Sequence, residues 1–226
     1  MENTTQQILN PWISIWTRPR ATIQQIVDVN PQRYIWALAA VSGVADALNQ
    51  ASGRSAGDEL GLPLILLIVV TAGSIGGIAG LYLFGALFRW TGSWMGGKAS
   101  AENLRAAIAW SSVPVICSLV LWIPSLAIFG QELFTTETPN IDANPSLLFV
   151  LFGYGAIEMI IGMWAFVVLL KCIGQVQGFS AWKALGNTLL VGLIVMIPVA
   201  LIIYGIGGFL ETEELIFTTD SDAIWL

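Results

Sequence analysis

Apolar residues fall along this chain in long blocks separated by short polar connections. Five blocks approach the roughly 20 residues that a helix needs to cross a bilayer, near 34–51, 62–88, 104–129, 147–170 and 182–209. The stretch from Gly61 to Phe88 carries no charged side chain and leaves room for a tilted crossing. The pattern predicts an all-α polytopic membrane protein, a bundle of five transmembrane helices over 33–210. A polar segment precedes it at 1–32 and an acidic tail follows at 211–226. Within the second block, Ala72, Gly76 and Gly80 form one line of small residues, and Gly73 and Gly77 form the next. These lines let another helix approach closely.

The basic residues orient the bundle. Arg18, Arg20 and Arg33 precede the first block, Arg89, Lys98 and Arg105 lie between the second and third, and Lys171 and Lys183 lie between the fourth and fifth. The opposite face holds only Arg54, with Asp58, Glu59, Glu132, Glu137, Asp142 and the tail acids. By the positive-inside rule the N-terminus is cytoplasmic, the C-terminus is outside, and the protein is a multi-pass protein of the inner or plasma membrane. The first 32 residues lack the basic start and short apolar core of a signal peptide and are expected to be retained. Asn10 before Pro11 marks a helix start, and Pro19 restarts the pattern. Trp12, Ile15 and Trp16, with Arg18 and Arg20 beside them, predict amphipathic helices at the cytoplasmic interface. The same stripes would also suit packing against the ends of the bundle.

Composition agrees with a membrane domain and no soluble module. Hydrophobic residues make up 56% and charged residues 11%, with mean hydropathy +0.76. A soluble surface needs about 25% charge. The net charge of −6 comes mainly from the outer face, where the acids read as a solvated surface more readily than as a cation site. Histidine is absent, which removes the usual proton shuttle and commonest metal ligand. Cys117 and Cys172 are placed at depths too different for a disulfide. No cofactor, metal or nucleic-acid site is indicated, and no catalytic constellation. The run from Gly92 to Lys98 lacks the spacing and hydroxyl residue of a phosphate loop.

The acids inside predicted spans are Asp46 and Glu158. Ser42, Asp46 and Asn49 share one helical face, and no Lys or Arg stands at matching depth. Ionisable groups there are costly against lipid and should face the bundle interior or a wet cavity. Two readings stay open: a proton, cation or headgroup site, or carboxyls that hydrogen-bond between helices. Pro114, Pro124 and Pro198 are expected to kink their helices. The outer connection from Gly130 to Pro145, rich in Pro and Asn, is expected to be irregular.

Three segments carry a family resemblance: NPWISIWTRPRATI before the first span, GGKASAENLRAAIAWSSVPVI into the third, and LLKCIGQVQGFSAWKALGNTLL around the last inner connection. The second is the most telling, with Gly96, Gly97, Lys98, Leu104 and Arg105 followed by Trp110, Ser111, Ser112 and Pro114. Together they resemble prokaryotic members of the Yip family, the Ypt/Rab-interacting membrane proteins, from about Asn10 to Phe209. The resemblance implies a five-span bundle and no catalytic residues. Its eukaryotic members are associated with small GTPases and vesicle traffic and carry a longer cytoplasmic N-terminal region, and the short segment here argues against that partner. Prokaryotic members are accessory membrane proteins, in some cases linked to export transporters. The expectation is therefore a non-enzymatic scaffold that binds other membrane proteins or a second copy of itself, or organises lipid. The alternative is a small transporter, channel or lipid-translocating protein that uses Asp46 and Glu158.

Overall fold

The computed structural model describes residues 9–222, with side chains described through 202. The acidic tail of 211–226 lies outside the residues whose side chains are described, and 223–226 lie outside altogether. Among the described residues nine α-helices follow in chain order: α1 (Pro11–Thr17), α2 (Pro19–Val29), α3 (Ile35–Gly53), α4 (Leu62–Trp94), α5 (Ala101–Ser111), α6 (Val113–Phe129), α7 (Pro139–Asp142), α8 (Pro145–Gln177) and α9 (Ala181–Asp222). Four helical stretches among the described residues are long and apolar enough to cross a membrane: Leu62–Trp94, Ala101–Phe134, Pro145–Gln177 and Ala181–Ile202. The protein is a multi-pass, all-helical membrane protein. Helix α3 is 19 residues long and is not one of the four, because Asp46, Asn49 and Gln50 dilute its apolar run.

Local chemistry sets the helix starts. The Asn10 side chain accepts a hydrogen bond from the Trp12 amide at 3.2 Å, with Pro11 in the first turn. Ser100 accepts from the Asn103 amide at 3.1 Å and Ser180 from the Lys183 amide at 3.2 Å. Each cap satisfies an otherwise orphaned helical N–H. The third span is interrupted rather than merely kinked. Pro114 supplies no amide to Trp110, the chain turns at Ser112, and the hydroxyls of Ser111 and Ser112 donate to the carbonyls of Ile108 and Ala109.

The ends of the bundle are built differently. At the basic end α1 and α2 fold under the helices, with Ile15 and Ile23 fully buried against α5 and α8 and the buried Thr22 hydroxyl in hydrogen-bond contact with Ser14 of α1 at 2.8 Å. The Trp164 indole donates to the Trp16 carbonyl at 3.2 Å, and the Gln175 amide donates to Gln24 at 3.1 Å. Ile15 is thus a core residue, whereas Trp12 and Ile13 stay exposed. Trp110 is buried beside Trp12 and Tyr34, its indole donating to the Arg33 carbonyl at 3.2 Å.

At the acidic end the connection from Gly130 to Pro145 is more ordered than its Pro and Asn content suggests. A 3-10 turn at Gly130–Phe134 and the short helix α7 are tied down by side chains. Phe134 is fully buried and stacks on Trp122. Its carbonyl oxygen would lie 2.7 Å from a Cβ at Gly57, so that position has room only for glycine. Glu132 accepts from the Asn140 and Ile141 amides, both at 3.1 Å. Asp58 accepts from the Thr136 amide at 2.9 Å and its hydroxyl at 2.6 Å. These two acids therefore work as loop clasps.

The Thr136 hydrogen bonds, hydroxyl first, hold the Asp58 carboxyl below its ordinary value of 3.8. A depressed carboxyl contributes stability above its unfolded value and loses it as the pH falls through the folded one. Acidification below the ordinary aspartate range should loosen this clasp and leave the spans intact. The protection of the Thr136 amide, taken as its exchange rate relative to the intrinsic rate at each pH, should fall in wild type on going from neutral pH into that range and be low throughout in Asp58→Asn.

Candidate functional site

The two small-residue lines of α4 have different fates. Gly73 and Gly77 meet α3 at backbone contact: a Cβ at Gly77 would overlap the Ala39 carbonyl oxygen, and one at Gly43 would overlap that of Gly73. Ala72, Gly76 and Gly80 turn away. Nothing approaches a Cβ at Gly76 within 4 Å, and at Gly80 only the Phe84 ring does, at 3.9 Å.

This open line floors a lateral groove of about 850 Å³ between α3 and α4 on one side and α5 and α8 on the other. Ser42, Asp46 and Gln50 on α3 and Arg54 at its C-terminal cap edge it, each four residues beyond the last. Ser111 at the end of α5 and Ser112 in the turn after it line the groove, with Gly162 and Phe166 from α8.

Asn49 and Glu158 lie elsewhere. They line a second cavity, of about 630 Å³, toward the acidic end with Ser125, Trp122 and Tyr154. The polar stripe on α3 is therefore divided, Ser42 and Asp46 to one cavity and Asn49 to the other. Asp46 and Glu158 do not share a cavity.

A third polar centre lies at the basic end and joins two of the telling sequence segments. Gln177, at the end of α8, is buried. Its amide donates to the Phe88 carbonyl at 3.0 Å and its side-chain oxygen accepts from the Ala99 amide at 3.4 Å. Asn187 on α9 is also fully buried; it donates to the same Phe88 carbonyl at 3.3 Å and lies in hydrogen-bond contact with the Thr91 hydroxyl. Cβ atoms at Gly92 or Gly97 would strike the Gln177 amide, so both glycines make room for it. Gly96 has φ +82°, a turn conformation that favours glycine. The segment GGKAS is thus clasped to the α8–α9 corner. Sequence reasoning noted both segments but missed Gln177 and Asn187 as their link. Amides standing in otherwise apolar runs were the available signal.

Residues 13–203 match the family model of the Yip1 domain. The chain belongs to the Yip1 domain family. No curated protein and no solved structure matches it. The Yip1 match takes in the N-terminal helices from Ile13, the glycine clasp, the Trp110–Pro114 break and the described part of α9, so the elements that build both ends of the bundle are family elements. Among the described residues no three His, Cys, Asp or Glu side chains gather as a metal site.

Proposed function

We propose that this Yip1-domain protein is a non-enzymatic membrane scaffold that receives a helix of another membrane protein, such as an export transporter, or of a second copy of itself. One observation carries the reading: α4 spends one small-residue line on α3 and leaves Ala72, Gly76 and Gly80 open in a lateral groove. Helices associate in lipid chiefly through close packing of this kind, since apolar burial offers little advantage over lipid tails.

Five spans fit this reading. Helix α3, about 28 Å long at 1.5 Å per residue, runs from the basic end at Tyr34 to the acidic end, where the Ser52 hydroxyl donates to the Leu133 carbonyl at 2.6 Å. Packed along Gly73 and Gly77, it shares the depth of α4. The domain then spans 33–210 with a cytoplasmic N-terminus, an outer C-terminus and a place in the inner or plasma membrane, as the distribution of bases favours.

A cysteine at Gly76 should crosslink to a partner in native membranes with near-stoichiometric yield, and a cysteine at lipid-facing Phe149 should not. Recovery of isolated monomers from both would sink the scaffold reading.

A second reading, movement of lipid or solute along the groove, is favoured by the line of Ser42, Asp46, Gln50 and Arg54 along its edge. Reconstituted vesicles should then show reporter-lipid or solute flux above empty vesicles, reduced by Asp46→Asn. Glu158 would contribute little, since it lines the other cavity.

A further inference from the structure

Arg105 is a prominent residue of the glycine-basic segment, yet neither the groove nor the clasp uses it. It stands on the second turn of α5, about 6 Å beyond Ala101 at 1.5 Å per residue. Its stem crosses α4 at Gly85, where the Arg105 Cγ would be 2.9 Å from a Cβ. Only a glycine lets the side chain lie so close. The guanidinium then rests over the Tyr82 ring, 4.7 Å from its centroid, and Tyr82 in turn meets Trp36 on α3 at 5.3 Å. Both rings are exposed on the apolar surface, as aromatics at a membrane interface are.

The guanidinium has no protein counterpart among the described residues. Its Nε is covered and unpaired, and no side chain or carbonyl among them accepts from its terminal nitrogens. Glu102, three residues earlier on α5, is exposed and forms no ion pair with it. Arg89 follows Gly85 by one turn on the same face of α4, which adds a second positive charge on that side. A fixed, planar, always-charged fork at the headgroup level, without an acid, calls for a bidentate oxyanion.

We propose that Arg105, laid across Gly85 and backed by Tyr82, binds the phosphate of an anionic phospholipid in the leaflet at the basic end of the bundle. The lipid source follows from the flanks: Tyr82 and Trp36 face the apolar surface, where acyl chains lie, and anionic headgroups concentrate at basic juxtamembrane positions.

The full-length protein, purified in detergent and stripped of lipid, can be offered phosphatidylglycerol, phosphatidylcholine or inorganic phosphate, with bound lipid counted by native mass spectrometry. Wild type should retain phosphatidylglycerol about tenfold or more over phosphatidylcholine. Arg105→Gln should abolish that preference, and Arg105→Lys should lower it while keeping the charge. Gly85→Ala should weaken it with every charge intact. Lys171→Gln removes the same charge from the same end and should leave it unchanged. Equal losses in Arg105→Gln and Lys171→Gln would overturn the site in favour of a general surface potential. Competition by inorganic phosphate at matched concentration would overturn the lipid assignment in favour of a free-anion site. Retention unchanged in both Arg105→Lys and Gly85→Ala would overturn the proposed geometry even if Arg105→Gln failed to fold.

Discussion

Gly77→Leu should abolish recovery of folded protein, whereas Gly76→Leu, one residue away, should leave the fold intact and remove only co-purification of the partner. The two glycines belong to the same apolar helix and look alike in sequence. At Gly77 the obstacle is backbone: the Ala39 carbonyl oxygen occupies the place of a Cβ, and the Gly43 Cα would stand 2.8 Å from it. Backbone cannot rotate away as a flexible side chain can, so even Gly77→Ala must push α3 and α4 apart along their whole contact. Overpacking a close contact costs about 1–3 kcal/mol when neighbours can adjust, and a leucine at a backbone crossing should exceed that. Gly43→Ala, facing the Gly73 carbonyl, should behave like Gly77→Ala. Thermal melts in detergent, with monodisperse yield from size-exclusion chromatography, separate the cases. Similar damage from Gly76→Leu and Gly77→Leu would mean that the open line is closed by the protein itself.

Gln177→Leu is expected to be the most destabilising single change outside the α3–α4 crossing, by about 2–4 kcal/mol. Gln177 supplies a donor to the Phe88 carbonyl and an acceptor to the Ala99 amide in a buried position. A leucine satisfies neither, and its branched end meets Gly92 and Gly97, whose missing side chains shape the slot. The connection from Met95 to Ser100 should loosen first, because its side-chain tie to α8 is lost and only the long bond from the Lys98 amide to the Gln177 carbonyl, at 3.5 Å, remains. Limited proteolysis at Lys98 should accelerate well before the helices melt. Asn187→Leu should show a smaller loss, since the Thr91 hydroxyl keeps the Leu87 carbonyl, 2.8 Å away, as an acceptor. The double variant should fall short of the sum, as both amides act on the Phe88 carbonyl. Unchanged proteolysis at Lys98 in Gln177→Leu would show that the clasp does not hold this connection.

Hydrophobic periodicity and length brought the membrane class and the helical architecture within reach of sequence alone. A stretch such as Gly61–Phe88 has no other stable home, because its backbone must be hydrogen-bonded internally and its side chains cannot be solvated by water. The cap at Asn10 was legible for a similar reason: it acts over two residues, within the reach of one helical turn. Tertiary structure decided the rest. It sent Gly77 into a backbone crossing and left Gly76 open, directed Asp46 and Glu158 to separate cavities, buried Ile15, and turned the outer connection into a clasped corner. It also gathered Gln177, Asn187, Phe88 and Ala99 into one centre and laid Arg105 on Gly85. Helical spacing puts residues on faces, but which face meets a neighbour depends on the rotation and crossing of helices distant in sequence. Those are set by backbone approach and by buried hydrogen bonds, which exist only once the helices have come together.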